Sequence, residues 1–308
     1  KVELSPKEIM CPFEITDRFA EINLEGESAK THIVQMMATT FANNLEELYI
    51  NGNKLGPAIL ESDYREGGSD THYIKDAYMG LVNGWSMLAD SGNVLDMEGE
   101  NISARTFAAA SRQIPTKYRR KLKDMRCLVS PDLWSLYLER FSTRATAKGD
   151  DVIGGGSHDP FGMTAFPVPL WPIDPIQVEH VNLIGTTPVA LKSSNITDVV
   201  VTVSTLGANP VSPYVETTDY VVDYAAGTIA RAGAGSIPDP STVKVTYHAS
   251  AQMILCHRDN LILAIGRDIT LEKDRDIYKG VDQYALSVKV DVQIQNLEAI
   301  VKVKNIGT

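Results

Sequence analysis

The chain has 308 residues, 44% of them hydrophobic and 22% charged. That is the balance of an ordinary soluble globular protein, long enough for about two domains, and it excludes a low-complexity, collagen-like or broadly disordered chain. Lysine and arginine number 29 against 39 acidic residues, a net charge of -10, and no run forms the basic stripe with which proteins grip nucleic-acid phosphates.

The tightest basic cluster, Lys117 to Lys123, reads as the solvated face of a connector. An acidic chain can also line a container of DNA, where weak repulsion keeps the contents off the wall. Cys11, Cys127 and Cys256 are odd in number and lack C-x-x-C spacing. They are read as small packed apolar groups in a reducing compartment, not as a disulfide framework or zinc knuckle. No window approaches the ~20 apolar residues that cross a bilayer, and no signal-peptide pattern is present. The first residue, Lys1, already lies in an extended run, so a preceding segment in the gene product is expected.

Residues 1 to 25 read as extended and irregular, broken by Pro6 and Pro12. The strongest helix follows, with Ser28 as its expected N-cap and Ile33, Met36, Met37, Phe41, Leu45, Leu48 and Tyr49 as one apolar stripe. Asn51-Gly52-Asn53 stops it, the glycine being expected in the left-handed conformation. Such a rod is on the order of 30 Å long. Gly67-Gly68 marks a loop, and a second helix runs from Ser103 to Gln113 until Ile114-Pro115. In a third, Ser130 caps, Pro131 takes the first position, and Leu133, Leu136, Tyr137 and Phe141 share a face. A glycine-rich loop (149–157) and the extended segment Phe166 to Pro172 follow.

Near residue 181 the charge density falls by about half while Val, Thr, Ser, Pro and Gly rise. Short runs at Val199 to Ser204, Tyr220 to Tyr224, Thr228 to Arg231 and Val243 to His248 alternate with turns, Ala225-Ala226-Gly227 being a hairpin signal. They predict a small β-sandwich or barrel inserted over 181–250, because charge density recovers afterwards. Met253 to Cys256 reads as a buried strand, Asn260 to Gly266, Asp268 to Asp274 and Leu286 to Val292 as long half-exposed antiparallel elements, and Ala299 to Val303 as a closing strand.

A search for chemistry ends without a site. Gly154-Gly155-Gly156-Ser157 lacks the following lysine of a phosphate loop. Ser157-His158-Asp159 are adjacent and cannot form a relay, and neither that segment nor Gly84-Trp85-Ser86-Met87-Leu88 completes a nucleophile elbow. The six histidines, His32, His72, His158, His180, His248 and His257, show no metal-ligand spacing. Cys256-His257 sits in an apolar strand, and Asp268, Asp274 and Asp276 alternate with Arg267, Lys273 and Arg275 as a salt-bridged edge. No catalytic, cofactor or metal residue is assigned.

The order of features resembles a known family. Ile15-Thr16-Asp17 through the long helix to Asn51-Gly52-Asn53 is similar to the spine-helix region of tailed-bacteriophage major capsid proteins, with Asn53 in place of the family's Asp. Leu128-Val129-Ser130-Pro131 and then Arg144 to Asp150 resemble its axial-domain stretch, and Phe161-Gly162-Met163 with Val168-Pro169 its F-G-x-P-V turn. Asp259-Asn260-Leu261 through Gly266-Arg267-Asp268-Ile269 resembles its asparagine-leucine, glycine, arginine-aspartate segment.

The resemblance implies an α+β Hong Kong 97-like capsid fold, with an Ig-like or β-sandwich insertion. On that mapping residues 1–25 are an extended-loop or arm segment, 26–110 the peripheral domain with its spine helix, and 111–180 the first part of the axial domain. Residues 181–250 are the insertion, and 251–308 return through the axial domain to peripheral strands. The chain would start inside the extended loop, and no crosslinking residue is carried over.

The implied function is a major capsid protein that forms hexamers and pentamers of an icosahedral shell around double-stranded DNA. No sequence-specific DNA binding, enzyme activity, cofactor or membrane is implied. The partners are itself, a scaffolding segment or protein, a maturation protease, a portal and a decoration protein, in a virion assembled in the bacterial cytoplasm. The alternatives are a nanocompartment shell and a surface-binding protein acting through the β module.

Overall fold

The computed structural model describes residues 2–22, 27–64, 72–119, 124–142, 164–165, 168–173, 175–205 and 211–307. Strand β1 (Lys7–Thr16) turns through helix α1 (Asp17–Ile22) into the long helix α2 (Glu27–Asn51). Residues 7–22 of the first segment are therefore regular, while residues 2–6 are not. The strand has ten residues, and Pro12 is tolerated because β1 lies at a sheet edge, where a residue without an N–H breaks no ladder on its open side. Helix α2 spans 25 residues, about 37 Å at its normal rise. It begins at Glu27, so Ser28 sits in its first turn and is not the cap. Phe41, Leu45 and Leu48 are buried as expected, but Met36 is 61% exposed and belongs to the opposite face.

The end of α2 depends on close approach more than on backbone freedom. Gly52 donates to Leu48 O at 2.9 Å and accepts from Gly84 N–H. It is not among the residues with positive φ. A Cβ on Gly52 would lie 2.6 Å from Leu48 O and 2.7 Å from Val82 O, and one on Gly84 2.5 Å from Ile50 O. Two glycines are needed there so that two backbones can touch.

Short elements follow: β2 (Ala58–Leu60), α3 (Glu61–Tyr64), β3 (Tyr73–Lys75), α4 (Trp85–Ala89) and β4 (Asn93–Asp96). Helix α5 (Ala104–Gln113) starts after Ser103, whose N–H is accepted by Thr106 Oγ1 at 3.1 Å, and stops at Ile114. After α6 (Thr116–Arg119) and β5 (Met125–Val129), helix α7 (Pro131–Ser142) begins as the sequence indicates, with Ser130 Oγ accepting the Leu133 N–H. Then come β6 (Thr164–Ala165), β7 (Val168–Pro172), β8 (Ile176–Leu183), β9 (Val189–Ala190), β10 (Ile196–Val203), β11 (Tyr220–Asp223), β12 (Thr228–Arg231), β13 (Ser241–Ala249) and β14 (Met253–His257). The chain closes with β15 (Leu261–Asp276), β16 (Val281–Ile294) and β17 (Ile300–Lys304).

These strands build three main bodies. The first is the sheet β1-β16-β15, on which α2 packs. The second is a six-stranded sheet, β4-β17-β14-β5-β7-β6, covered by α5 and α7 through Phe107, Ala110, Leu133 and Tyr137. The third is a module of two three-stranded sheets, β10-β13-β8 and β11-β12-β9, which share one core around Leu183, Val201, Ile229, Val243 and Tyr247. The chain leaves the six-stranded sheet at β7 and re-enters it at β14, so the module is an insertion.

Its first strand starts at Ile176, ahead of the compositional change at 181. Three strands per sheet also differ from the four-plus-three of an immunoglobulin constant domain. The two expected elements Asn260 to Gly266 and Asp268 to Asp274 form one 16-residue strand with bulges on either side of Arg267. The glycine-rich loop 149–157, Ser157-His158-Asp159, Arg144 to Asp150, Phe161-Gly162-Met163, Gly67-Gly68 and the end of the basic cluster lie outside the described residues.

Candidate assembly surfaces

The sheet β1-β16-β15 is built from alternation. Leu286, Val288, Val290 and Val292 all point to one face of β16 and are buried there with Phe41, Leu45 and Leu48 of α2. Strand β1 adds Ile9 opposite Val288 and Cys11 opposite Leu286. On the other side of β16, β15 places Leu263 opposite Val292, Ile265 opposite Val290 and Leu271 opposite Leu286.

These three residues have the same facing as the core but are 37%, 55% and 47% exposed. An edge strand carrying apolar side chains in water is an association surface unless something covers it. At the end of the hairpin Ile277 is 81% and Tyr278 102% exposed. The turn behind them is fixed, because Asp276 Oδ1 accepts from the N–H of Tyr278 at 3.0 Å and of Lys279 at 3.2 Å, with Gly280 at φ 64. The tip is a shaped knob whose two large apolar side chains stand in solvent.

Charge pins helix to hairpin. Lys30 Nζ lies 3.0 Å from Asp282 Oδ2 and 3.5 Å from Asp17 Oδ1. Lys273 reaches the same Asp282 oxygen at 3.4 Å, and Arg275 reaches Asp17 at 2.9 Å. The Lys30 ammonium, and after it that of Lys273, hold the Asp282 carboxyl below its usual range against the opposing effect of burial. Nothing in the helical spacing signals this network, because its members are distant in sequence.

The motif residues have structural duties. Asn260 locks the base of the hairpin, donating to Asn296 O at 2.9 Å and accepting from Asn296 N–H at 2.8 Å. Arg267 bridges the sheet, donating to Glu8 at 2.6 Å and Ser287 Oγ at 2.8 Å. Lys117 pairs with Glu298 at 3.0 Å. Cys127 and Cys256 are fully buried and their thiols are pushed up by desolvation, Cys256 to about 12, so neither is a nucleophile.

His257 stands 3.6 Å from Asp259 and 3.8 Å from Asp124. The cavity beside it, about 530 Å³, is lined by Lys117, Tyr118, Asn260 and Asn296, the Asn260 amide bonding to the Asn296 backbone and the Asn296 amide donating to Tyr118 Oη. A groove of about 700 Å³ runs over Phe13, Tyr284 and Lys273 on the open sheet. Among the described residues no group of three His, Cys, Asp or Glu could hold a metal ion, and no helix is long and apolar enough to cross a membrane.

A long helix on a three-stranded sheet drawn out into a hairpin, joined to a second sheet that carries an insertion, is the Hong Kong 97-like capsid fold. The procapsid of satellite phage P4 superposes with TM-score 0.50 at 10% identity, over 99% of this chain and 74% of that one. The capsid of an empty GTA particle gives 0.47 at 10% identity over 99% and 74%. In sequence, the "Putative prophage capsid protein YqbE" of Bacillus subtilis (strain 168) is 24% identical over 302 residues, 98% of this chain and 70% of that protein. No family model matches.

Proposed function

We propose that this chain is the major capsid protein of a tailed phage, self-assembling into hexamers and pentamers of an icosahedral shell that encloses double-stranded DNA. The observation that carries this reading is the 24% identity to a protein described as a prophage capsid protein, sustained over 98% of the chain. The exposed apolar edge of β15 and the protruding knob at Ile277 and Tyr278 supply the surfaces such a subunit needs. Many modest contacts repeated around a closed shell give a stable container.

The role is structural. The net charge of -10 suits a wall that does not adhere to its contents. On this reading the subunit assembles in the bacterial cytoplasm, guided by a scaffolding segment or protein and a maturation protease. The finished virion adds a portal and a decoration protein.

Electron micrographs of the expressed gene product, together with analysis of what the particles hold, test the proposal. Closed icosahedral shells containing nucleic acid are expected. Shells holding a protein cargo instead would make it a nanocompartment, and a soluble monomer under all assembly conditions would refute both.

A further inference from the structure

We propose that the inserted module is docked on the body by a polar seam that opens and closes as a unit, with the buried Lys244 as its latch. The first ground is where the apolar side chains go. The module core contains only residues between Val181 and Ala249, and none of the other hydrophobic clusters includes a module residue. The cores on the two sides therefore do not merge across the junction, where Val178 of the module and Ala58 of the body are buried apolar residues outside any cluster.

What crosses it is hydrogen bonding and an ion pair, Lys192 to Asp90 at 3.5 Å. Ile176 N–H donates to Asn51 Oδ1 at 3.3 Å, Asn53 to Val178 O at 3.5 Å, Gln177 to Ser86 Oγ at 3.2 Å, and Ala58 N–H to Thr246 Oγ1 at 3.2 Å. Tyr73 and Val211 exchange both backbone bonds. At the far end Ser194 N–H donates to Asn305 Oδ1 at 2.7 Å, and Asn195 to Ile306 O at 3.2 Å. Water can replace every one of these partners when the surfaces part, so the net cost of separation is small.

The second ground is the cation at the centre. Lys244 is 1% exposed and donates to Leu55 O at 2.7 Å. Among the described residues no carboxylate pairs with it. Lys75 lies beside it, donating to the adjacent carbonyl of Lys54 at 3.2 Å and repelling it. His180 stands opposite on β8, and Thr202, opposite on β10, buries a hydroxyl with no partner among the described residues. Asp76, on the adjoining turn, accepts from the N–H of Tyr78 and Met79.

A docked lysine in this setting is held near pKa 8, below its ordinary 10.5, chiefly by burial. Released into water, it would regain the ordinary value. The docked state thus binds fewer protons than the open one, and docking strengthens as pH rises between about 8 and 10.5.

Double electron–electron resonance on the full-length chain tests this. Spin labels go at Val221→Cys in the module and Val94→Cys in the body, on a Cys11→Ser background. At pH 7 two label distances are expected, with the longer population falling roughly tenfold or more at pH 9.5. Lys244→Met should show only the short distance at both pH values. A single unchanging distance in the Lys244-containing chain overturns the proposal, and so does a long population in Lys244→Met that still falls with pH. If that variant does not fold, the pH series on the Lys244-containing chain decides alone. Neither readout requires a shell to form, so failure here leaves the capsid reading intact.

Discussion

The ammonium of Lys30, in the first turns of the long helix, lies 3.0 Å from the carboxylate of Asp282, which opens the final long strand 252 residues later. Both side chains are nearly closed to solvent, at 10% and 6% exposure. This pair fixes where the helix begins along the sheet. Lys30→Met should cost about 3 kcal/mol, since it leaves a buried carboxylate with only a peripheral partner. Lys273→Met, which removes that exposed partner, should change little. The midpoint of urea unfolding for each variant checks the contrast. The depressed Asp282 carboxyl adds a pH signature. Its stabilisation is complete above the unfolded carboxylate pKa and is lost as pH falls through the lower folded value. The Asp282→Asn variant should therefore lose less stability than the parent between pH 4 and pH 2.

The two faces of α2 should respond differently. Leu48 is fully buried between helix and sheet, so Leu48→Ala should cost about 3 kcal/mol through the cavity it leaves. Met36 faces away, and Met36→Ala should stay within about 0.5 kcal/mol. Equilibrium denaturation of the dissociated subunit measures both.

Gly84→Ala and Gly52→Ala should prevent stable folding, because each new methyl would meet backbone oxygen at 2.5 and 2.6 Å. Gly99 is the informative contrast. Its φ is 83 but nothing lies within 4 Å of a Cβ, so Gly99→Ala should cost about 1–2 kcal/mol of backbone strain alone. Soluble yield and thermal midpoint distinguish the two kinds of glycine.

At the hairpin knob, Ile277→Ser combined with Tyr278→Ser should leave the subunit's unfolding midpoint unchanged, since neither side chain is covered by its own chain. Particle yield on a sedimentation gradient should fall sharply. A full yield of shells would remove the knob from the assembly contacts.

Thiol chemistry gives a fifth check. N-ethylmaleimide at pH 7.5 should add at most one group to the folded chain, at the half-buried Cys11, and three after unfolding. Adducts at Cys127 or Cys256 without unfolding would contradict their burial.

Local signals suffice where one short stretch decides the structure. Ser130-Pro131 carries its own cap and Ile114-Pro115 its own stop. Such signals do not suffice where the outcome depends on a distant partner. Residues 7–16 become a strand only because β16 offers ten successive partners. Gly52 is required by the approach of Gly84, not by its own φ. Lys30, Asp282 and Lys244 look like ordinary surface charges in sequence, and only the packing of separate elements hides them from water. The candidate surfaces were legible only as alternation: it marks β15 as half-exposed, but not which of its faces the helix leaves bare.

The entry and exit of the inserted module are neighbours, since β8 and β13 pair and Ala249 N–H donates to Pro175 O at 2.8 Å. A stretch joined to its host by two adjacent threads behaves as a cassette. It can be exchanged for a foreign fold, or replaced by a few residues of linker, while β7 and β14 keep their places. The host sheets would keep their register whatever that cassette carries.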